Sequence, residues 1–80
     1  MTKILVVDDE QKIREMIRKY AEYEGFQVDE AADGLEAVQK ADKNSYDVIV
    51  MDIMMPNLDG FSACKEIKKK KDVPVILLSA

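Results

Sequence analysis

The sequence predicts an α/β fold of one domain, a doubly wound parallel sheet with the element order βαβαβαβ. Short apolar runs occur at residues 4–7, at residues 48–51 and at Val75–Leu78, and such runs are typical of strands buried on both faces. Segments with helical periodicity lie between them, which favours parallel strands joined by crossover helices. Residues 26–31 alternate apolar and polar side chains and are predicted to form an edge strand.

The first helix is predicted over residues 11–24. Ile13, Met16, Ile17 and Tyr20 recur at i, i+3, i+4 and i+7, which gives the helix one apolar stripe. Gly25 follows directly and can adopt the left-handed conformation that ends a helix.

Aspartate caps are predicted to begin the two following helices. Asp33 is expected to accept a hydrogen bond from the N3 amide while Glu36 reaches back, as in a capping box. Asp59, followed by Gly60, opens the third helix. The apolar residues expected to face the core are Leu35, Val38 and Ala41 in the second helix and Phe61, Cys64 and Ile67 in the third.

Composition restricts the classes of function. The 80 residues carry a formal net charge of −4 and no histidine, whereas a nucleic-acid-binding surface is basic. The one basic run, residues 68–71, is interpreted as a solvated helix end. No apolar stretch approaches the length of about 20 residues needed to cross a bilayer. Residues 1–3 show no signal-peptide pattern before the first strand, and the lone Cys64 fits a reducing compartment. We expect a cytoplasmic protein without direct nucleic-acid or membrane partners.

Polar side chains follow three of the predicted strands: Asp8 and Asp9 the first, Asp52 the third and Ser79 the fourth. Open parallel sheets bind ligands outside the carboxyl ends of their strands, so these residues indicate one pocket. If the first and third strands are neighbours, Asp8, Asp9 and Asp52 lie close together, and each close pair of carboxylates repels by about 4 kcal/mol at an effective dielectric near 20. A raised pKa, a lysine or a hard divalent cation must offset this repulsion, and oxygen-only ligands favour Mg²⁺. Asp52 is the best candidate for a nucleophile toward a phosphoryl group.

Four motifs make the chain resemble the receiver domain of bacterial two-component response regulators. They are residues 4–10 (ILVVDDE), Asp33-Gly34, residues 47–52 (DVIVMD) with Met55-Pro56 and Asp59-Gly60, and residues 74–80 (PVILLSA). The resemblance covers residues 1–80 as a partial receiver domain. It implies a flavodoxin-like sheet with the strand order 2-1-3-4.

The resemblance also implies a role for each site residue. Asp52 would be the phosphoacceptor and Asp9 a direct Mg²⁺ ligand, while Asp8 would hold a metal-bound water. The backbone carbonyl of Met54 would complete the metal ligands, and the Ser79 hydroxyl would contact a phosphoryl oxygen. The implied partner is a sensor histidine kinase, and the chain would be a phosphoacceptor module rather than an enzyme.

The family pattern continues past residue 80 with a helix, a strand that ends in a lysine, and another helix. The resemblance therefore implies a truncated receiver, βαβαβαβ, in which phosphorylation is expected to be slow, because loss of one preorganised stabilising group commonly costs about 10²–10³ in rate. Residues 73–78 would form an apolar edge, which favours self-association into a homo-oligomer. The alternative function is a non-catalytic receiver fragment whose main property is assembly into a dimer or larger species.

Overall fold

A computed structural model describes residues 1–78, and all strand pairs in it are parallel. The elements of these residues are β1 (Lys3–Val7), α1 (Gln11–Tyr23), β2 (Gln27–Ala31), α2 (Gly34–Lys43), β3 (Val48–Asp52), α3 (Gly60–Lys68) and β4 (Val75–Leu78). The sheet order is β2-β1-β3-β4. The predicted α/β class, the strand order 2-1-3-4 and the edge position of β2 are confirmed.

Strand side chains point alternately into two cores, one on each face of the sheet. Leu5 and Val7 of β1 pack with α2 and α3, whereas Ile4 and Val6 pack with α1. The first core consists of Leu5, Val7, Ala31, Ala37, Ala41, Ile49, Met51, Ala63, Ile67 and Val73, and the second of Ile4, Val6, Ala21 and Val28. Because helices cover both faces, β1 is apolar at every position after its first residue.

Strand register brings the carboxyl ends of β1 and β3 together. Val7 of β1 pairs with Met51 of β3, and Asp52 pairs with Leu78 of β4. Asp8 follows Val7 directly, so the backbone of Asp8 lies beside that of Asp52 at one edge of the sheet. This convergence fixes where a site can form.

The predicted apolar stripe of α1 is only partly correct. Ile17 and Ala21 pack into the second core, but Met16 is 61% and Tyr20 is 75% exposed. Helix α1 lies over β1 and β2, so only one side of its stripe meets the sheet. Gly25 ends the helix at φ 91°, as predicted.

The predicted core faces of α2 and α3 are wrong at their first positions. Leu35 is 51% and Phe61 is 57% exposed. Small residues take the buried positions instead: Gly34, Ala37 and Ala41 in α2, and Gly60 and Ala63 together with Ile67 in α3. The two helices pack closely against each other and the β3–α3 loop, so the start of each helix has room only for glycine.

Both aspartate caps are present. Asp33 Oδ1 accepts a hydrogen bond from the Glu36 amide at 2.8 Å, and Asp59 Oδ1 accepts one from the Ser62 amide at 2.9 Å. Glu36 does reach back, but it accepts from the amide of Ala32 at 2.7 Å rather than from that of Asp33.

Candidate metal and phosphoryl-transfer site

Three carboxylates meet at the carboxyl edge of the sheet. Asp8, Asp9 and Asp52 each offer an oxygen, and these oxygens lie within 4.8 Å of one another. Asp8 is buried, Asp9 is exposed and Asp52 is half-buried. The structure thus brings together the three acidic residues that the sequence singled out, and one side of the cluster faces solvent.

Asp8 is the buried carboxylate of the cluster. Its Oδ1 accepts a hydrogen bond from the Glu10 amide at 2.9 Å, and its backbone carbonyl accepts one from Arg14 Nη1 at 2.7 Å. Burial raises the pKa of Asp8, and the negative charges of Asp52 and Asp9 raise it further, although the Glu10 amide acts in the opposite direction. A bound cation would relieve this unfavourable electrostatic environment.

Asp52 ends β3 and is held by the loop that follows it. The Met54 amide donates to Asp52 Oδ1 at 3.3 Å, and the Gly60 amide closes the loop by donating to the Ile53 carbonyl at 2.9 Å. A Cβ on Gly60 would lie 2.3 Å from the Asp52 carbonyl oxygen. Glycine at residue 60 therefore lets α3 begin against the backbone of Asp52.

An arginine–glutamate network next to the cluster was not predicted from the sequence. Arg14 Nε and Arg18 Nε contact the two oxygens of Glu30 at 3.0 and 2.6 Å. Burial alone would raise the pKa of Glu30, but hydrogen bonds from Arg18 and Arg14 lower it below its ordinary value. The available signal was a pair of arginines one turn apart in α1 together with a glutamate in the predicted edge strand. Through Arg14, this network anchors the backbone of Asp8.

A link between Asp33 and Asn57 was also missed. Asn57 Nδ2 donates to Asp33 Oδ2 at 2.7 Å, and Asn57 has a positive φ of 67°. The Pro56-Asn57 pair is a turn signal that could have indicated this conformation. Ser79, predicted to contact a phosphoryl oxygen, lies outside the described residues.

The donors at the cluster fit Mg²⁺. Carboxylate oxygens are the ligands of a hard divalent cation, and Mg²⁺ typically uses one or two of them and retains waters. The solvent-facing side of Asp9 leaves space for such waters. In the part of the chain that the structure describes, no helix is both long and apolar enough to cross a membrane.

The family model for the response regulator receiver domain matches residues 4–80. The chain is 49% identical over 79 residues to the transcriptional regulatory protein ResD of Bacillus subtilis, covering 99% of this chain and 33% of ResD. It thus spans about a third of the length of such relatives.

Solved structures give the same result. The response regulator protein TrrA from Thermotoga maritima, in complex with Mg²⁺-BeF, has a TM-score of 0.94 and 46% identity, covering 100% of this chain and 70% of that one. A complex of histidine kinase ThkA with TrrA matches with a TM-score of 0.93 and 44% identity, over 100% and 70% of the two chains. The chain therefore belongs to the family of response regulator receiver domains.

Proposed function

We propose that this chain accepts a phosphoryl group on Asp52 from a sensor histidine kinase. The observation that carries the proposal is the convergence of Asp8, Asp9 and Asp52, with carboxylate oxygens within 4.8 Å. A similar protein, TrrA, has been solved both with Mg²⁺-BeF and with a histidine kinase, which supports the same ion and the same class of partner here.

The proposed metal ligands are Asp8, Asp9, Asp52 and the backbone carbonyl of Met54, with Asp8 acting through a bound water. Mg²⁺ at this position would supply positive charge that neutralises the phosphoryl oxygens during transfer. Burial of Asp8 and its hydrogen bond from Glu10 keep one carboxylate fixed at the inner side of the cluster. Such fixed charge is the main requirement of phosphoryl transfer.

The proposed reaction is a displacement at phosphorus. A carboxylate oxygen of Asp52 forms the new oxygen–phosphorus bond, while the bond from phosphorus to the donor nitrogen of the phosphohistidine breaks and the nitrogen keeps the electron pair. The product is an acyl phosphate on Asp52. The Met54 amide, which donates to Asp52 Oδ1 at 3.3 Å, would orient the carboxylate for the attack. Ser79 is proposed to contact a phosphoryl oxygen of the product.

Intact-mass measurement after incubation with acetyl phosphate and Mg²⁺ tests the proposal. We expect one phosphoryl group to be added to the wild type and none to Asp52→Asn or to the wild type in EDTA. Asp42→Asn is a matched control, because Asp42 is an exposed carboxylate that pairs with Lys70 at 3.5 Å. Equal labelling of Asp52→Asn and the wild type would contradict the assignment of Asp52.

Self-association through β4 is a second candidate. Within residues 1–78, β4 forms one edge of the sheet, and its Ile76 and Leu78 are 53% and 38% exposed. Apolar edge strands recruit other chains, and a charged side chain on the edge prevents this. Light scattering over a range of concentrations would then give a mass that rises for the wild type and stays monomeric for Ile76→Lys. A monomeric wild type at high concentration would contradict the candidate.

A further inference from the structure

Asp33 connects two parts of the molecule through its two carboxylate oxygens. Oδ1 accepts from the Glu36 amide at 2.8 Å and caps α2, while Oδ2 accepts from Asn57 Nδ2 at 2.7 Å in the β3–α3 loop. Both hydrogen bonds lower the pKa of Asp33, the Glu36 amide more than Asn57. Capping a helix requires only one carboxylate oxygen, so the second oxygen of Asp33 is free to bind Asn57.

The loop is constrained where it meets Asp33. Asn57 is the one non-glycine residue of the described chain with a positive φ, 67°, a conformation that costs free energy unless its surroundings hold it. Leu58, the next residue, packs against the start of α2. A Cβ on Gly34 would lie 2.0 Å from the Leu58 carbonyl oxygen. The Asp33-Gly34 pair therefore holds residues 57 and 58 by one hydrogen bond and one close backbone contact.

The same loop reaches the carboxylate cluster. Its first part includes Met54, whose amide donates to Asp52 Oδ1, and its end is tied to Ile53 by the Gly60 amide. A loop fixed at residues 53, 57 and 58 has little freedom at the residues between. Loss of the hydrogen bond at Asn57 would therefore loosen the backbone of Met54.

We propose that Asp33 is a positioning residue for phosphoryl transfer: through Asn57 it fixes the β3–α3 loop that supplies the Met54 carbonyl to Mg²⁺ and the Met54 amide to Asp52. This inference rests on the proposed function, since the metal site is part of that proposal. Outer-shell groups that orient metal ligands commonly change metal affinity by about 10–100-fold when they are lost.

Exchanging the amide and the carboxylate between residues 57 and 33 tests the Asp33–Asn57 hydrogen bond. Asn57→Asp sets two carboxylates against each other and breaks the link, because neither can donate a hydrogen bond. Adding Asp33→Asn restores an amide–carboxylate pair with the polarity reversed, and asparagine still caps α2. The double variant has the net charge of the wild type. The single variant is more negative by one charge, so long-range electrostatics alone would make it bind Mg²⁺ more tightly than the double variant.

Mg²⁺ titration gives the deciding measurement. We expect Asn57→Asp to weaken Mg²⁺ binding about tenfold and the double variant to recover most of that loss. Metal-free hydrogen exchange should show faster exchange at residues 53–59 in Asn57→Asp and near wild-type exchange in the double variant. Should Asn57→Asp fail to unfold cooperatively in urea, Asp33→Ser replaces it, because serine keeps the cap but has no second oxygen for Asn57. Asp42→Asn, which also removes one negative charge from an exposed carboxylate, is then the control for the change in net charge, and equal Mg²⁺ affinity in the two variants would overturn the positioning role.

The outcomes separate this inference from the proposed function. A wild type without Mg²⁺ affinity would overturn the metal site and the positioning role with it. A wild type that binds Mg²⁺, with Asn57→Asp binding equally or more tightly, would overturn the positioning role and leave the proposed function intact. Loss of affinity in both the single and the double variant would also overturn it, because restoring the hydrogen bond would then have no effect.

Discussion

Replacing Asp52 by asparagine should stabilise the metal-free protein. Asp52 lies among two other carboxylates, with oxygens within 4.8 Å, and its charge has no cationic partner among the ion pairs of residues 1–78. Asparagine has nearly the same shape and keeps an acceptor for the Met54 amide. The substitution therefore removes repulsion with little change in packing.

The magnitude follows from Coulomb's law. Two unit charges about 4.8 Å apart repel by about 3.5 kcal/mol at an effective dielectric of 20, and Asp52 faces two such charges. Solvent at the open side of the cluster screens the interaction. We therefore expect Asp52→Asn to raise the free energy of unfolding by about 1–3 kcal/mol at low salt.

Urea unfolding at pH 7, with EDTA or with excess Mg²⁺, measures the effect. The wild type should gain about 1.4 kcal/mol for each tenfold excess of Mg²⁺ over its dissociation constant, and Asp52→Asn should gain much less. Asp42→Asn removes the same charge at an exposed ion pair and should change stability by less than about 1 kcal/mol. If metal-free Asp52→Asn were no more stable than the wild type, the repulsion would be absent and the case for a bound ion would fail.

Two further predictions concern the scaffold around the site. Gly34→Ala should lower the free energy of unfolding by about 1–3 kcal/mol because its Cβ would lie 2.0 Å from the Leu58 carbonyl oxygen; urea unfolding equal to that of the wild type would show that the loop moves freely. Glu30→Gln should destabilise the protein at pH 7, where the ionised Glu30 pairs with Arg14 and Arg18. Since the folded-state pKa of Glu30 lies below its ordinary value of 4.5, the difference between variant and wild type should persist above that value and disappear as pH falls through the lowered pKa. A difference independent of pH would contradict the ion-pair account.

The parts of the fold that depend on apolar runs could be predicted from the sequence. Residues 48–51 are apolar at every position because β3 lies in the interior of the sheet between β1 and β4, and a run of that kind is typical of a parallel strand buried on both faces. A shared edge for Asp8, Asp9 and Asp52 followed from the parallel arrangement, since the carboxyl ends of parallel strands lie at the same edge of a sheet, but their close contact also required β1 and β3 to be neighbours. The strand order itself depended on the family resemblance.

Helix faces and loop contacts were harder to predict, for a physical reason. Hydrophobicity suggested that Leu35 and Phe61 would be buried, but close approach of α2 to α3 and to the β3–α3 loop leaves space for the smaller Gly34 and Gly60. The distance between two packed elements depends on the side chains of both, so it cannot be predicted from the sequence of one helix. The Asp33–Asn57 hydrogen bond spans 24 residues, so local patterns carry no signal for it.

In the proposed site, the carboxylate cluster would lower the stability of the metal-free fold and raise the affinity for Mg²⁺ for the same reason. A cation bound in the folded state would relieve the repulsion among Asp8, Asp9 and Asp52, so the free energy that destabilises the metal-free fold would reappear as binding free energy for the ion. An acyl phosphate on Asp52 would put about two negative charges in place of one, which increases the demand for the cation. By linkage, Mg²⁺ must then favour phosphorylation by the same factor by which phosphorylation favours Mg²⁺ binding. The loop fixed by Asp33 would act on both equilibria, because it holds a proposed metal ligand and the carboxylate of Asp52 at once.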